Sequence, residues 1–126
     1  MKDFTFDLQR FAATWEVNGT TYSSLSAAIS AATAGDTITL QTRNATGNGA
    51  TVNKNVIINL GGNTYTLNDG STGSTTRAFT VSEGLSVTFK NGNIQKTLTD
   101  NNTRSDRSFI ISATGSVTLE NITIAG

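Results

Sequence analysis

The chain has 126 residues, nine basic and nine acidic side chains, a formal net charge of zero, and neither Cys, His nor Pro. The length suits one domain with a core of its own. Without a basic stripe to neutralise a phosphate backbone, nucleic acid is excluded as an expected partner, and without Cys or His so are a zinc site, a thiol nucleophile and a His general base. Charged residues are only 14% of the chain, while Thr, Asn, Ser and Gly abound. Thr suits exposed strand faces, and Asn and Gly suit turns that need positive φ, so the composition points to β structure with many corners.

Residues 1–14 form an amphipathic segment. Asp7 and Arg10 interrupt the apolar run that a Sec signal needs, and no membrane span is visible, so membrane insertion is not expected. Phe4, Phe6 and Leu8 alternate as on a strand, whereas Phe4, Leu8 and Phe11 would share a helix face. The segment either packs on the fold's own end or serves docking or export, which makes these four apolar residues candidates for self-association. Phe6-Asp7-Leu8-Gln9-Arg10-Phe11-Ala12 resembles a short box at the start of some phage structural proteins and anaerobe surface proteins.

Residues 15–36 read as a hairpin and a capping helix. Asn18-Gly19 supplies two positive-φ positions, with Trp15 and Val17 before the turn and Tyr22 after it. Ser24 is then placed to N-cap a helix whose apolar face is Leu25, Ala28, Ile29 and Ala32, with Gly35 as its stop. Such a helix would cover the first turn of whatever follows.

Residues 37–126 read as about three to four coils of a repeat. A short strand, Thr37-Ile38-Thr39-Leu40, comes first. Arg77 to Asn91 then reappears without a gap as Arg107 to Asn121, thirty residues on. A weaker copy upstream sets Val52, Val56, Ile58 and Leu60 on the positions of Val81, Leu85, Val87 and Phe89. Repeats of this length, built from short alternating strands and turn residues, cannot bury their apolar faces singly and must stack. Phe79, Val81, Leu85, Val87, Phe89 and Ile94 are expected to point inward and stack on Phe109, Ile111, Val117, Leu119 and Ile124. Two polar segments, Asn68 to Thr76 and Gln95 to Ser108, break the uniform turns as variable loops.

The run Val17 to Leu25, the run Ala34 to Leu40 and the coils after them resemble the N-terminal cap and first turns of bacterial pectin-lyase-like right-handed parallel β-helices. The resemblance covers about residues 13 to 126 and implies an all-β fold: a right-handed parallel β-helix, or solenoid, with a short N-terminal capping helix. It carries little about activity, because that family spans polysaccharide lyases, glycoside hydrolases, adhesin-like surface proteins and phage tailspikes.

The outer strand positions Thr39, Asn59, Thr88 and Thr118, beside Thr37, Ile57, Ser86 and Ser116, form a hydroxyl-rich row suited to water or sugar, although Ile57 and Asn59 interrupt it. Asn63, Asn91 and Asn121 fall at equivalent corners, where stacked amides bond one another and Asn tolerates the left-handed turn. Lys90 and Glu120 share a repeat position and should face each other across coils. Arg77 and Arg107 place like charges one coil apart, a cost that an acidic glycan or the nearby Glu83, Asp100 and Asp106 would relieve. With Arg104 in the same loop, Arg77, Asp100, Asp106 and Arg107 are the candidate ligand-binding residues. The resemblance implies acids on outer strand faces for a catalytic member, yet Asp69, Asp100 and Asp106 are scattered in loops. No repeat-aligned pair supplies the spacing of about 6.5–9.5 Å that inverting glycoside hydrolysis needs. No catalytic residue, metal or cofactor is therefore expected.

The final run Asn121 to Gly126 lies inside a coil and no polar cap follows it, so Ile122 and Ile124 join the candidate self-association residues. The expected partner is a second copy or the remainder of a longer β-helix, with a glycan as the other possibility. The expected function is a non-catalytic structural or interaction module of a bacterial cell surface or a phage-like appendage. A carbohydrate-binding or polysaccharide-degrading β-helix is the alternative, and an ice-binding Thr-rich face the third.

Overall fold

Alternation of apolar and polar residues in short runs, bounded by Gly and Asn, makes strands that bury one face each. The computed structural model describes residues 11–47, 49–67, 79–96 and 111–125, and over these the protein is all-β with one short helix. The strands are β1 (Phe11–Ala12), β2 (Trp15–Val17), β3 (Thr20–Tyr22), β4 (Thr37–Leu40), β5 (Ala45–Gly47), β6 (Thr51–Val52) and β7 (Ile57–Asn59). They continue with β8 (Thr64–Leu67), β9 (Phe79–Val81), β10 (Ser86–Lys96), β11 (Ile111–Ala113) and β12 (Ser116–Ala125), and α1 (Leu25–Ala31) lies between β3 and β4.

From β4 onward all pairing is parallel and falls into three ladders. The first stacks β4, β7, the first half of β10 and the first half of β12. The second stacks β5, β8 and the second halves of β10 and β12, with β1 added beside β5. The third stacks β6, β9 and β11. The chain visits the ladders in a fixed cyclic order, so each circuit lays its strands on those of the circuit before at about 4.8 Å.

At the start of the stack the pairing turns antiparallel. β2 and β3 form the expected hairpin, with Asn18 at φ 52° and Gly19 at φ 85° in its turn, and β2 runs antiparallel to β4. Ser24 Oγ accepts from Ala27 N at 3.1 Å, and Leu25, Ala28, Ile29 and Ala32 are buried as the sequence predicts. Gly35 is not the helix stop, however. The C-cap is Ala32 at φ −77°, and the Lys54 ammonium, arriving from just beyond β6, donates to the carbonyls of Ile29, Ser30 and Ala32 at 2.8, 3.0 and 2.7 Å. A cation on orphan carbonyls ends the helix without a left-handed residue. Gly35, at φ 94°, instead turns the chain into β4 and donates its N–H to the Asn55 carbonyl at 2.7 Å.

Inward residues of all three ladders share one core. Through it runs an aromatic chain: Trp15 meets Tyr65 edge-on at 5.2 Å, Tyr65 meets Phe79 at 5.9 Å and Phe79 meets Phe89 at 5.1 Å. Trp15 comes from the hairpin, and Tyr65, Phe79 and Phe89 come from the second, third and first ladders, so the chain ties the three walls together, with each contact adding about 0.5–1.5 kcal/mol beyond burial. Gly47 makes room for Tyr65, whose hydroxyl occupies the space a Cβ there would need.

The register departs from the gapless repeat at the corners. Val52 pairs with Val81 as expected, but Ile57, Ile58 and Asn59 pair with Thr88, Phe89 and Lys90, two residues beyond the expected partners. Likewise Phe79 pairs with Ile111 and Val81 with Ala113, so Phe109, which lies outside the described residues, is not Phe79's partner. From Ser86 onward the pairs Ser86 with Ser116, Thr88 with Thr118 and Lys90 with Glu120 follow the predicted spacing. Each shift comes from a link two residues shorter than its counterpart: four residues separate Val52 from Ile57 where six separate Val81 from Thr88. Four residues join β9 to β10 but only Thr114 and Gly115 join β11 to β12, and Gly115 fits because it lies against the Ser82 and Leu85 carbonyls, where a Cβ would collide.

Two outcomes follow from these contacts. Lys54→Met keeps the aliphatic stem but removes the three carbonyl partners, and should lower stability by about 1–2 kcal/mol in urea denaturation. Burial pushes the Tyr65 phenol well above its ordinary value of 10.0. The folded chain therefore holds this proton where the unfolded chain releases it, so the contribution is whole below the ordinary phenol range and is lost as pH rises above it. Tyr65→Phe should flatten the alkaline fall in stability measured by denaturation from pH 9 to 12.

Candidate functional site

Two features of the stack combine chemistry with exposure, and both meet on β12. One is a column of asparagines. β10 and β12 each round a corner on a single left-handed residue, Asn91 at φ 62° and Asn121 at φ 57°, which Asn accepts because its short polar side chain bonds locally. Asn91 Nδ2 donates to Asn59 Oδ1 at 3.4 Å and Asn121 Nδ2 donates to Asn91 Oδ1 at 3.3 Å. Asn59 Oδ1 also accepts from Gly61 N at 2.8 Å.

Asn63 was the expected first member of this column, and the structure replaces it with Asn59. The corner after β7 holds two residues more than the corresponding corner of β10, and Gly61 and Gly62, at φ 63° and 83°, supply its left-handed positions. Asn63 is thereby displaced and donates Nδ2 to the Leu40 carbonyl at 3.3 Å. The next corner has no room for such a detour: a Cβ on Gly92 would lie 2.5 Å from Leu60 Cβ and 2.6 Å from the Asn63 carbonyl.

The other feature is the face of β12 turned away from β10. Phe89 and Ile94 are 0% and 1% exposed, whereas their ladder partners Leu119 and Ile124 are 47% and 40% exposed. Ile122 and Val117 are half-buried against the core. Position in the alternation is the same in both coils, so the difference is that β10 has a coil on either side and β12 has one on a single side among the described residues.

The outer walls are polar. Asn93 Nδ2 donates to Thr64 Oγ1 and Gln95 Nε2 to Thr66 Oγ1, both at 3.1 Å, so amides and hydroxyls on the second ladder satisfy one another between coils. On the first ladder the hydroxyl row is broken more than the sequence suggests, because Ile57 lies beside Thr88 and Asn59 beside Lys90. Among the described residues no group of three or more acidic side chains is placed to hold a metal ion, and no helix is long and apolar enough to cross a membrane.

Of the sequence-predicted site residues, Ile122 and Ile124 lie on the β12 face. Arg77, Asp100, Arg104, Asp106 and Arg107 lie outside the described residues, as do Phe4, Phe6 and Leu8. The Phe11 backbone pairs with Ala45 in β1. Gln95 belongs to β10 rather than to a loop. Sequence reading missed Leu119 as a surface residue, although its place in the last copy of the repeat marks it, and missed Lys54, whose signal is a lone cation in an otherwise uncharged corner. Comparison with protein-family models, with curated proteins and with solved structures finds no match.

The column separates backbone strain from hydrogen bonding. Asn91→Gly keeps the left-handed corner and loses two long amide bonds, an expected cost of about 1 kcal/mol, while Asn91→Ala adds left-handed strain of roughly 1 kcal/mol more. Urea titration of the two variants against the parent checks the order.

Proposed function

We propose that the three ladders wind as a right-handed parallel β-helix and that the chain is a non-catalytic structural module of a bacterial surface or phage-like appendage, which associates through the β12 face. The observation that carries the reading is the contrast between coils: side chains that are fully covered at Phe89 and Ile94 recur at Leu119 and Ile124 with nearly half their surface in water. Soluble chains rarely leave an apolar row beside an unpaired parallel strand edge, because the pair invites another strand. The start of the stack contrasts with this end, since α1 packs on β2, β3 and β6 there and an antiparallel hairpin closes the first ladder.

The cyclic order of the strands and the strictly parallel coils support the helical winding, and its hand follows the resemblance and the rule that parallel crossovers are right-handed. The outer walls fit a stem better than a catalytic groove, since their amides and hydroxyls are engaged with one another and the acidic residues of the described coils are not gathered.

Light scattering over a range of concentrations, with negative-stain images of the same samples, tests the association. The parent chain should rise in apparent mass with concentration without settling on a discrete dimer, and Leu119→Lys together with Ile124→Lys should weaken that association at least tenfold, since each buried side chain contributes about 1.5–3 kcal/mol. Far-UV circular dichroism establishes that the variant keeps its strands. Assembly unchanged in the folded double variant would remove the β12 face from the reading.

A further inference from the structure

The asparagine column has a direction, and that direction selects what fits on β12. Gly61 N–H is a backbone donor with no acceptor character, so the Asn59 atom 2.8 Å from it is the carbonyl oxygen. The Asn91 group facing the same oxygen at 3.4 Å must then be the NH2, which turns the Asn91 oxygen to the Asn121 NH2 at 3.3 Å. Orientation that is ordinarily ambiguous for a side-chain amide is fixed here by one main-chain hydrogen. Among the described residues the column thus ends on Asn121, with its NH2 turned back to β10 and its Oδ1, an acceptor, as the last group.

We propose that the β12 face takes a parallel strand–corner–strand coil whose corner residue carries a side-chain amide donor, a coil of this repeat's own kind, and that it does not take a second copy of the chain by two-fold docking. This rests on the reading of β12 as an association face. Two observations select the occupant. A two-fold partner presents the same Oδ1 at its column end, with its Asn121 NH2 turned back toward its own β10, so the two columns meet acceptor to acceptor and neither is extended in its own direction. The other end of a second copy is no better suited, because its hairpin is antiparallel and α1 lies over β6. A parallel coil instead continues the register in which Ser86 to Lys90 already pair with Ser116 to Glu120, and sets apolar side chains over Leu119 and Ile124. At the corner its Asn donates to Asn121 Oδ1 as Asn121 donates to Asn91.

The test lengthens the full chain by a second copy of residues 97–126 joined after Gly126, which carries β12's thirty-residue spacing on by one coil. Three versions hold Asn, Asp or Gly at the added position that copies Asn121. The Asn version should raise the melting temperature above that of the parent chain. The Asp version should forfeit at least half of that gain at pH 7, where the carboxylate only accepts, and should recover it relative to the Asn version at pH 3, where the carboxyl donates. The Gly version keeps the left-handed corner and should forfeit a share of the gain like that of the Asp version at pH 7, but at both pH values. Equal gains from all three versions would overturn the directional column and leave the association face intact. No gain from any version would overturn the association face with it. A discrete dimer of the unextended chain that Leu119→Lys abolishes would overturn the parallel occupant alone.

Discussion

Everything in this molecule depends on parallel stacking in register. A circuit of the chain presents strands too short to be stable by themselves, each with one apolar face and two bare edges, and neither need is met within the circuit. Both are met by the circuit before and the circuit after, as Ile38 is covered by Ile58, Ile58 by Phe89 and Phe89 in part by Leu119. The aromatic chain from Trp15 to Phe89 then ties the walls to one another. Among the described residues the Trp15 indole N–H is buried without a hydrogen-bond partner, a cost of about 1–3 kcal/mol that burial of so large a ring offsets.

The corners do the work that a longer strand would do elsewhere. At the described corners the chain changes its relation to the core within a few residues, by left-handed residues at Asn44, Gly61-Gly62, Gly84, Asn91 and Asn121 or by the two-residue link Thr114-Gly115. Each device leaves main-chain groups that a neighbouring coil must satisfy. Gly62 N donates to the Asn91 carbonyl at 2.7 Å, Asn93 N to the Asn63 carbonyl at 3.1 Å and Ser116 N to the Leu85 carbonyl at 2.8 Å. Hydrogen bonds between corners thus extend the ladders across the places where the strands stop.

The strands β4, β7 and β9, the hairpin, the helix start and the apolar face of α1 were legible in the sequence because each rests on local chemistry: alternation, Asn-Gly, a Ser cap, a helical period. Register between coils was legible only in part. Alternation repeats every two residues, so a shift of two leaves every side chain facing the same way and costs the pattern nothing. That is why Phe79 was matched with Phe109 and Ile58 with Val87, and why Asn63 stood in for Asn59. The corners settle the register, and what settles a corner is steric: the Leu60 and Asn63 atoms crowding Gly92, or the carbonyls crowding Gly115. Lys54 was hidden for a related reason, since its carbonyl partners lie more than twenty residues away and no local pattern connects them.

The two-residue step also bears on how such a chain can change over generations. The corner after β7 differs by two residues from its counterpart in β10, and the link before β12 differs by two from the link before β10. In both cases the flanking strands keep their faces. Loss or gain of two codons at a tight corner moves the register along without turning a core side chain into the solvent. A single codon at the same place would set every residue of the next strand on the wrong side of the wall, so the gene for a stack like this one is free to drift in length at its tight corners by pairs of codons.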